Sequence, residues 1–265
     1  MLGPYELNKI YCEDCYEAIK KIPDKSVDLI YTDIPYDFVG NGGGGVFGEK
    51  RRKYHEEYEK IANNTIENTL NKKKRKSTSD TEDIAFGIDY SILDEFVRVC
   101  KQINCYIWCS KKQILPIMEY FVEGHDCVWD LLLWHKTNPI PTCNNTYLPD
   151  TEYCLYFREQ SAGLDGSVAT KSKYYISPTN KRDKDKFEHS TIKPLSFVQD
   201  HITNSTRGGG SVVLDPFMGS GTTAVACKNL GRQFIGFEVN PKWHKIAVDR
   251  LNNIQANGQM TLFTM

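Results

Sequence analysis

The residues best suited to chemistry stand in two short runs far apart in the chain. The first is "DLIYTDIPYDF", residues 28 to 38, where an apolar run ends in Asp33, Ile34, Pro35 and Tyr36 and is soon followed by "GNGGGG". An acid and a proline pack poorly at the end of a buried strand, so this run is either a turn or a site. The second is "LDPFMGSGTT", residues 214 to 223. Strand, glycine turn and helix follow one another directly there, so backbone N–H groups and the positive end of a helix face one point. Gly219 and Gly221 let the main chain approach a ligand without a Cβ, and Asp215, Pro216, Phe217, Ser220, Thr222 and Thr223 complete the turn. Glu238, followed by Val239 and Asn240, lies 17 residues after Gly221 at the end of the next strand. That is close to the roughly 20-residue spacing at which such an acid bonds ribose hydroxyls. The plainer alternative is an ordinary strand-to-helix turn with a solvent-facing Glu.

Other chemistries find little support. Nine cysteines are scattered singly except for Cys12 and Cys15, and no second CxxC or HxxxH exists to complete a zinc site, so no metal is expected. The formal net charge of −1 predicts no polyanion partner by itself, so any nucleic-acid contact must come from local basic clusters. No basic and apolar leader opens the chain and no apolar run approaches the roughly 20 residues that span a bilayer; a soluble, intracellular protein with no membrane partner is expected.

The elements that must position these residues read as α/β. At 265 residues the chain suits one domain over 1–265, with a polar insertion at 40–83 and a second polar segment at 158–188. "NKIYC", the helix "DCYEAIKKI" and "VDLIYT" form a strand-helix-strand unit; "YSILDEFVRVCKQI", "NCYIWCS" and "KKQILPIMEYFVEG" continue as helix, strand and helix. Two strand-like runs, "CVWDLLLWHK" and "TEYCLYFRE", come next, which predicts a mostly parallel sheet with an antiparallel edge. A Rossmann-like order starting at "SVVLDPF" passes to "FIGFEVN" and then runs out of chain after one helix. The missing strands are at the other terminus, so the fold is read as circularly permuted, with "NKIYCED" third and "VDLIYTDIPY" fourth. Asp14 and Cys15 then stand at the tip of the third strand, Asp14 beside the adenine of a nucleotide ligand or as a helix N-cap, two compatible roles. "DIPY" falls at the carboxyl end of the strand next to the glycine turn, where open α/β sheets bind ligands.

Here the chain resembles a family. "DIPY" is similar to the D-P-P-Y signature of amino-directed DNA methyltransferases, "DPFMGSGTT" to their F-x-G-x-G cofactor motif, and "HSTIKP" at 189 to 194 to the segment before it. The catalytic motif preceding the cofactor motif is the β-class order. The resemblance implies S-adenosylmethionine as cofactor, held by Asp14, Cys15, Asp33, Thr191, Lys193, Asp215 to Phe217, Gly219 to Thr223 and Glu238 to Asn240. It implies that Lys193, with Thr191, lies near the cofactor carboxylate and that Phe217 packs beside the cofactor or in the core. An exocyclic amine conjugated to its ring is a poor nucleophile. The Asp33 carboxylate and the Ile34 carbonyl can each accept one of its N–H groups, freeing the lone pair for an electrophilic methyl. Pro35 fixes the turn and Tyr36 offers a stacking face to a flipped-out base. Ile34 departs from the family's usual Pro, but the position uses its carbonyl, which Ile retains. An acid rather than Ser at position 33 favours adenine N6 over cytosine N4 in the family. Trp134 and Tyr153 read as core.

Duplex DNA is the implied partner, with phosphate contacts from Lys50, Arg51, Arg52 and Lys53, from Lys72, Lys73, Lys74 and Arg75, and from Lys181 and Arg182. Segment 158–188 occupies the family's target-recognition position and is short for that task, which makes the 40–83 insertion or a second copy of the chain a candidate helper. The tail Gln259 to Phe263 resembles the peptide by which bacterial proteins hold the replication clamp; an apolar tail docked on its own domain is the alternative. The resemblance also implies a bacterial or phage-encoded cytoplasmic protein acting at the nucleoid, of restriction-modification type. Cytosine-N4 methylation, RNA methylation, or DNA binding without turnover are the competing functions.

Overall fold

The computed structural model describes residues 1–36, 87–139, 141, 145–179 and 192–256. Strands β1 (Lys9–Tyr11), β2 (Leu29–Asp33), β3 (Asn104–Cys109), β4 (Val128–Lys136), β5 (Thr151–Arg158), β6 (Tyr174–Ser177), β7 (Val212–Asp215) and β8 (Gln233–Phe237) form one sheet in the order β1-β8-β7-β2-β3-β5-β4-β6. The neighbour of β8 is β1, from the opposite end of the chain, as circular permutation requires. The helices among the described residues are α1 (Cys15–Ala18), α2 (Ile92–Val99), α3 (Ile114–Met118), α4 (Leu195–Ser205), α5 (Thr222–Asn229) and α6 (Pro241–Ala256).

Alternation along the strands builds a core on each face of the sheet. Ile30, Cys105, Ile107, Leu214, Ile235 and Phe237 point to one face, where Ala18, Phe96 and Ile117 cover them. Leu29, Tyr31, Tyr106, Trp108, Val213 and Phe234 point to the other, under Val198, Ile202, Ala224 and Ala247. Trp134 is 2% exposed and lies in that second core, while Tyr153 is half-buried.

Three details go beyond the sequence expectation. The reversed strand is β5, antiparallel to both β3 and β4, and it lies inside the sheet rather than at its edge. The edge is β6, formed by "YYIS" from the polar segment 158–188 and parallel to β4. Only Tyr175 of that strand is buried, so it carries almost no apolar signal. The helix beginning at Ile114 passes into a π turn over Glu119–Glu123.

The chain divides into two compact units, Met1–Ile34 with Ile88–Met265, and Pro35–Gly87. Of the second, only Pro35, Tyr36 and Gly87 are described, so the insertion expected at 40–83 lies outside the described residues. Among the described residues no helix is long and apolar enough to cross a membrane, and no group of His, Cys, Asp and Glu could hold a metal ion.

Candidate active site

Strands β2 and β7 run side by side and parallel, with Leu29 opposite Val213 and Ile30 opposite Leu214. From β7 the chain crosses through α5 to β8 on one side; from β2 it passes through α2 to β3 on the other. The crossovers therefore diverge between these two strands, which opens a crevice at their carboxyl ends. Asp33 and Asp215 are the last residues of the two strands.

Asp33 is held from behind. The buried ammonium of Lys193 pairs with its Oδ2 and, at 3.0 Å, with Oε2 of Glu152 on β5. The other Glu152 oxygen pairs with Lys136 on β4 at 2.6 Å. Burial works against the charge of Lys193, but the Asp33 and Glu152 carboxylates outweigh it and push its pKa up to about 12. Burial likewise opposes ionisation of Glu152, and Lys193 and Lys136 together bring its pKa down to about 2. The resemblance implied that Lys193 lies near a cofactor carboxylate; the structure places its Nζ on these two side chains.

Ile34 extends the strand pairing by one step, its N–H donating to the carbonyl of Trp108 at 3.2 Å, while its side chain is 1% exposed in the core. This accounts for the departure from Pro, since Pro has no N–H to give Trp108. Pro35 and Tyr36 follow directly and belong to the second unit.

The glycine turn is fixed by its neighbours on all sides. Asp215 accepts the Phe217 N–H at 3.1 Å and the Thr223 hydroxyl at 2.6 Å. The Met218 N–H donates to Phe237 at 2.9 Å, tying the turn to β8. Gly219 and Gly221 have φ of 53° and 83°, the left-handed region that glycine enters freely. Arg250 of α6 braces the turn from behind, donating to the Ser220 carbonyl at 2.7 Å and the Ser220 hydroxyl at 3.0 Å. Glu238 grips the turn with one oxygen, accepting the Gly219 N–H at 2.8 Å, and with the other accepts the Asn240 N–H of its own segment at 2.9 Å. Its carboxylate has lone pairs left for further donors, so gripping the turn is compatible with bonding hydroxyls. Val239 is exposed, and Asn240 accepts the Lys242 N–H at 2.9 Å where α6 begins.

Asp14 caps α1 by accepting the Tyr16 N–H at 2.9 Å, as expected of an N-cap. Its loop stands at the same end of the sheet as Glu238, whose N–H donates to the Tyr11 carbonyl at 3.0 Å. Cys15 is buried, and burial raises its thiol pKa far above the ordinary value. The ring of Tyr16 meets that of Phe217 with centroids 6.3 Å apart, joining α1 to the glycine turn. Thr191, Lys50 to Lys53, Lys72 to Arg75, Lys181, Arg182 and the tail Gln259 to Phe263 lie outside the described residues. Sequence reasoning missed Glu152, Lys136 and Arg250; the one signal for Glu152 was an acid just before the apolar stretch from Tyr153 to Phe157.

Asp215 has a consequence for stability. Burial raises its pKa from 3.8 to about 7, despite the hydrogen bond from Thr223. Between those values the folded chain binds the proton more tightly than the unfolded chain. The stabilising contribution is therefore complete below about pH 4 and is lost as pH rises through 7. Thermal melts at stepped pH should show wild type losing stability relative to Asp215→Asn over that window. Parallel pH profiles for the two proteins would count against it.

The sheet order, the diverging crossovers and the glycine turn with its strand-end acid define a Rossmann-like methyltransferase fold. The family described as DNA methylase, of N6 and N4 type, matches residues 27–249, and the chain belongs to that family. It is 28% identical to the Type II methyltransferase M.HinfI of Haemophilus influenzae, over 95% of this chain and 70% of that protein. It is also 28% identical to the Type II methyltransferase M2.DpnII of Streptococcus pneumoniae, over 93% of this chain and 91% of that one. Among solved structures, the M1.HpyAVI–SAM complex superposes with a TM-score of 0.61 at 25% identity, covering 92% of this chain and 99% of that one. The cytosine-N4-specific PvuII DNA methyltransferase gives 0.57 at 13% identity, over 95% and 93% of the two chains, a likeness of fold alone.

Proposed function

We propose that the chain is a site-specific DNA methyltransferase that transfers the methyl group of S-adenosylmethionine to the exocyclic N6 of a flipped-out adenine in duplex DNA. The observation that carries this reading is the pairing of β2 with β7, which sets Asp33 and Ile34 across the crevice from the glycine turn. The residues around that turn suit the cofactor: main-chain N–H groups at Ser220 and Thr222, the Glu238 carboxylate for ribose hydroxyls, Asp14 at the tip of β1 beside the adenine, and the Phe217 ring for an apolar moiety. When bound, S-adenosylmethionine would supply a methyl whose bond to sulfur breaks as its bond to N6 forms, leaving a neutral thioether, and the proton that the methylated amine sheds would pass to water. The protein's part is positional. Asp33 accepts one N–H of the amine and the Ile34 carbonyl the other, so the nitrogen lone pair is aimed rather than delocalised. Tyr36 offers its ring to the extruded base.

The acid at position 33 is what favours adenine, because the shared fold includes a cytosine-N4-specific enzyme and so does not separate the two amines. Incubating the protein with labelled S-adenosylmethionine and duplex DNA, then digesting to nucleosides, is the test. N6-methyldeoxyadenosine is expected. N4-methyldeoxycytidine would move the assignment to the other amine, and unlabelled DNA with cofactor binding intact would refute DNA methylation.

Phosphate contacts are assigned to the basic runs at 50–53, 72–75 and 181–182. Replacing Lys72, Lys73, Lys74 and Arg75 with Gln should weaken DNA binding and flatten its dependence on log salt, by up to about 0.9 per lost phosphate contact. An unchanged slope would take that run out of the interface. A second copy of the chain and the replication clamp are proposed partners on sequence grounds. Gel filtration, and clamp pull-down with and without residues 259–265, test them; a monomer, or equal capture, would dismiss each in turn.

A further inference from the structure

Four charged side chains, from four separate stretches of chain, make one line beside the strand-end acid. Lys136 closes β4, Glu152 opens β5, Lys193 precedes α4, and Asp33 closes β2. The signs alternate along the line, so each inner group, Glu152 and Lys193, is shared between two opposite charges. Lys193 is buried at 5% exposure, and the Glu152 side chain is mostly covered at 13%. The Trp108 ring lies 5.1 Å from the Lys193 nitrogen and shields it on one side.

Such a line is poor material for stability alone. Withdrawing charges from water costs about as much as their attraction returns, and apolar side chains of similar size would join the same strands at least as well. What ionic groups provide and apolar ones do not is orientation. An ammonium has three N–H donors; fixed by Glu152 on one side, it can hold the Asp33 carboxylate in one rotamer on the other. Glu152 also offsets the positive charge of Lys193. Without that offset, a lone buried cation would stand beside the carboxylate that faces a positively charged reaction.

We propose that Glu152 is a positioning residue for methyl transfer: it holds Lys193 on Asp33 and thereby fixes the carboxylate that receives the target amine. The inference rests on the reading of Asp33 as amine acceptor given above. Its effect passes through Lys193, so the two residues should act as one unit rather than independently.

The test is single-turnover methyl transfer into duplex DNA by the full chain, its Glu152→Gln and Lys193→Met variants and the double variant, with S-adenosylmethionine affinity measured in parallel. Glu152→Gln should slow transfer by about 10- to 100-fold, the scale of a misplaced reacting group, while cofactor and DNA affinities stay within about threefold. The double variant should be no slower than Lys193→Met alone. A Glu152→Gln rate equal to wild type, or single effects that multiply in the double variant, would overturn the proposal. A Glu152→Gln chain that no longer melts cooperatively would assign Glu152 to folding and overturn it as well. If the wild-type chain transfers no methyl, the methyltransferase reading itself fails and the inference falls with it.

Discussion

Replacing Asp33 with Ala is expected to slow methyl transfer by about 10²- to 10³-fold, the range seen when one preorganised polar contact to the reacting atoms is removed. The carboxylate sits at the carboxyl end of a strand whose first four residues are buried, paired with β7 at Leu29 and Ile30 and with β3 from Ile30 to Asp33. In the proposed geometry the next acceptor along the chain, the Ile34 carbonyl, takes the other N–H of the amine and so does not substitute for the carboxylate. The loss should fall on the chemical step. S-adenosylmethionine would still meet the glycine turn, whose bonds to Glu238, Phe237 and Arg250 do not involve Asp33. Asp33→Asn sharpens the measurement, because it keeps an acceptor oxygen and the side chain's shape while losing the charge that pairs with Lys193. Its rate should fall between wild type and Asp33→Ala. Rapid-quench transfer rates, with melting temperatures and cofactor affinities alongside, decide the matter. Asp33→Ala retaining a rate within about threefold of wild type would remove the carboxylate from the chemistry.

How far the site could be read from sequence depends on the kind of contact involved. Local contacts were legible. Strand, glycine turn and helix at 212–229, and the Asp14 cap, follow from residue types within a few positions of one another. The permutation was also legible, since a glycine-turn strand near the end of the chain leaves its partner strand to be found at the start. What was not legible depends on sheet order. Lys193 meets residues 160 and 41 positions away in sequence because β5 is inserted between β3 and β4, and no local pattern announces that insertion. Ile34 looked like a tolerated exception to Pro; its N–H bond to Trp108 shows a positive reason, visible only once β2 and β3 are in register. Glu238 was read through its spacing to the glycines, which located it correctly on the next strand but gave no sign that it also clamps Gly219. Strand β6 escaped because a four-residue edge strand with one buried side chain has no periodicity to detect.

Gly221→Ala should be the most damaging small substitution in the cofactor turn, and comparison with two other glycines separates its causes. Gly221 has φ of 83°, and a Cβ there would lie 2.9 Å from the Ala247 Cβ and 3.1 Å from the Ala247 Cα. Strain in the left-handed region and overpacking against α6 each cost about 1–3 kcal/mol, so a loss of about 2–6 kcal/mol is expected. Gly208 has φ of 82° with nothing within 4 Å of its Cβ position, so Gly208→Ala should show the strain alone. Gly210 also has open space there, and its φ lies outside the left-handed range. Gly210→Ala should therefore be neutral, or stabilising by up to about 1 kcal/mol through the unfolded chain. Function should separate them further. Helix α6 carries both Ala247 and Arg250, and Arg250 holds Ser220. Pushing α6 away thus loosens the N–H groups that would face the cofactor, whereas Gly208 and Gly210 lie before β7 and touch none of them. Denaturant melts and S-adenosylmethionine titrations of the three variants should therefore rank Gly221→Ala far below Gly208→Ala, and Gly208→Ala below Gly210→Ala in stability. Only Gly221→Ala should lose cofactor affinity. Trimming the neighbour with Ala247→Gly should recover part of the stability by relieving the Cβ contact, leaving the backbone strain in place. A Gly221→Ala protein that binds the cofactor as wild type does would show that the turn's close packing on α6 has no part in cofactor binding.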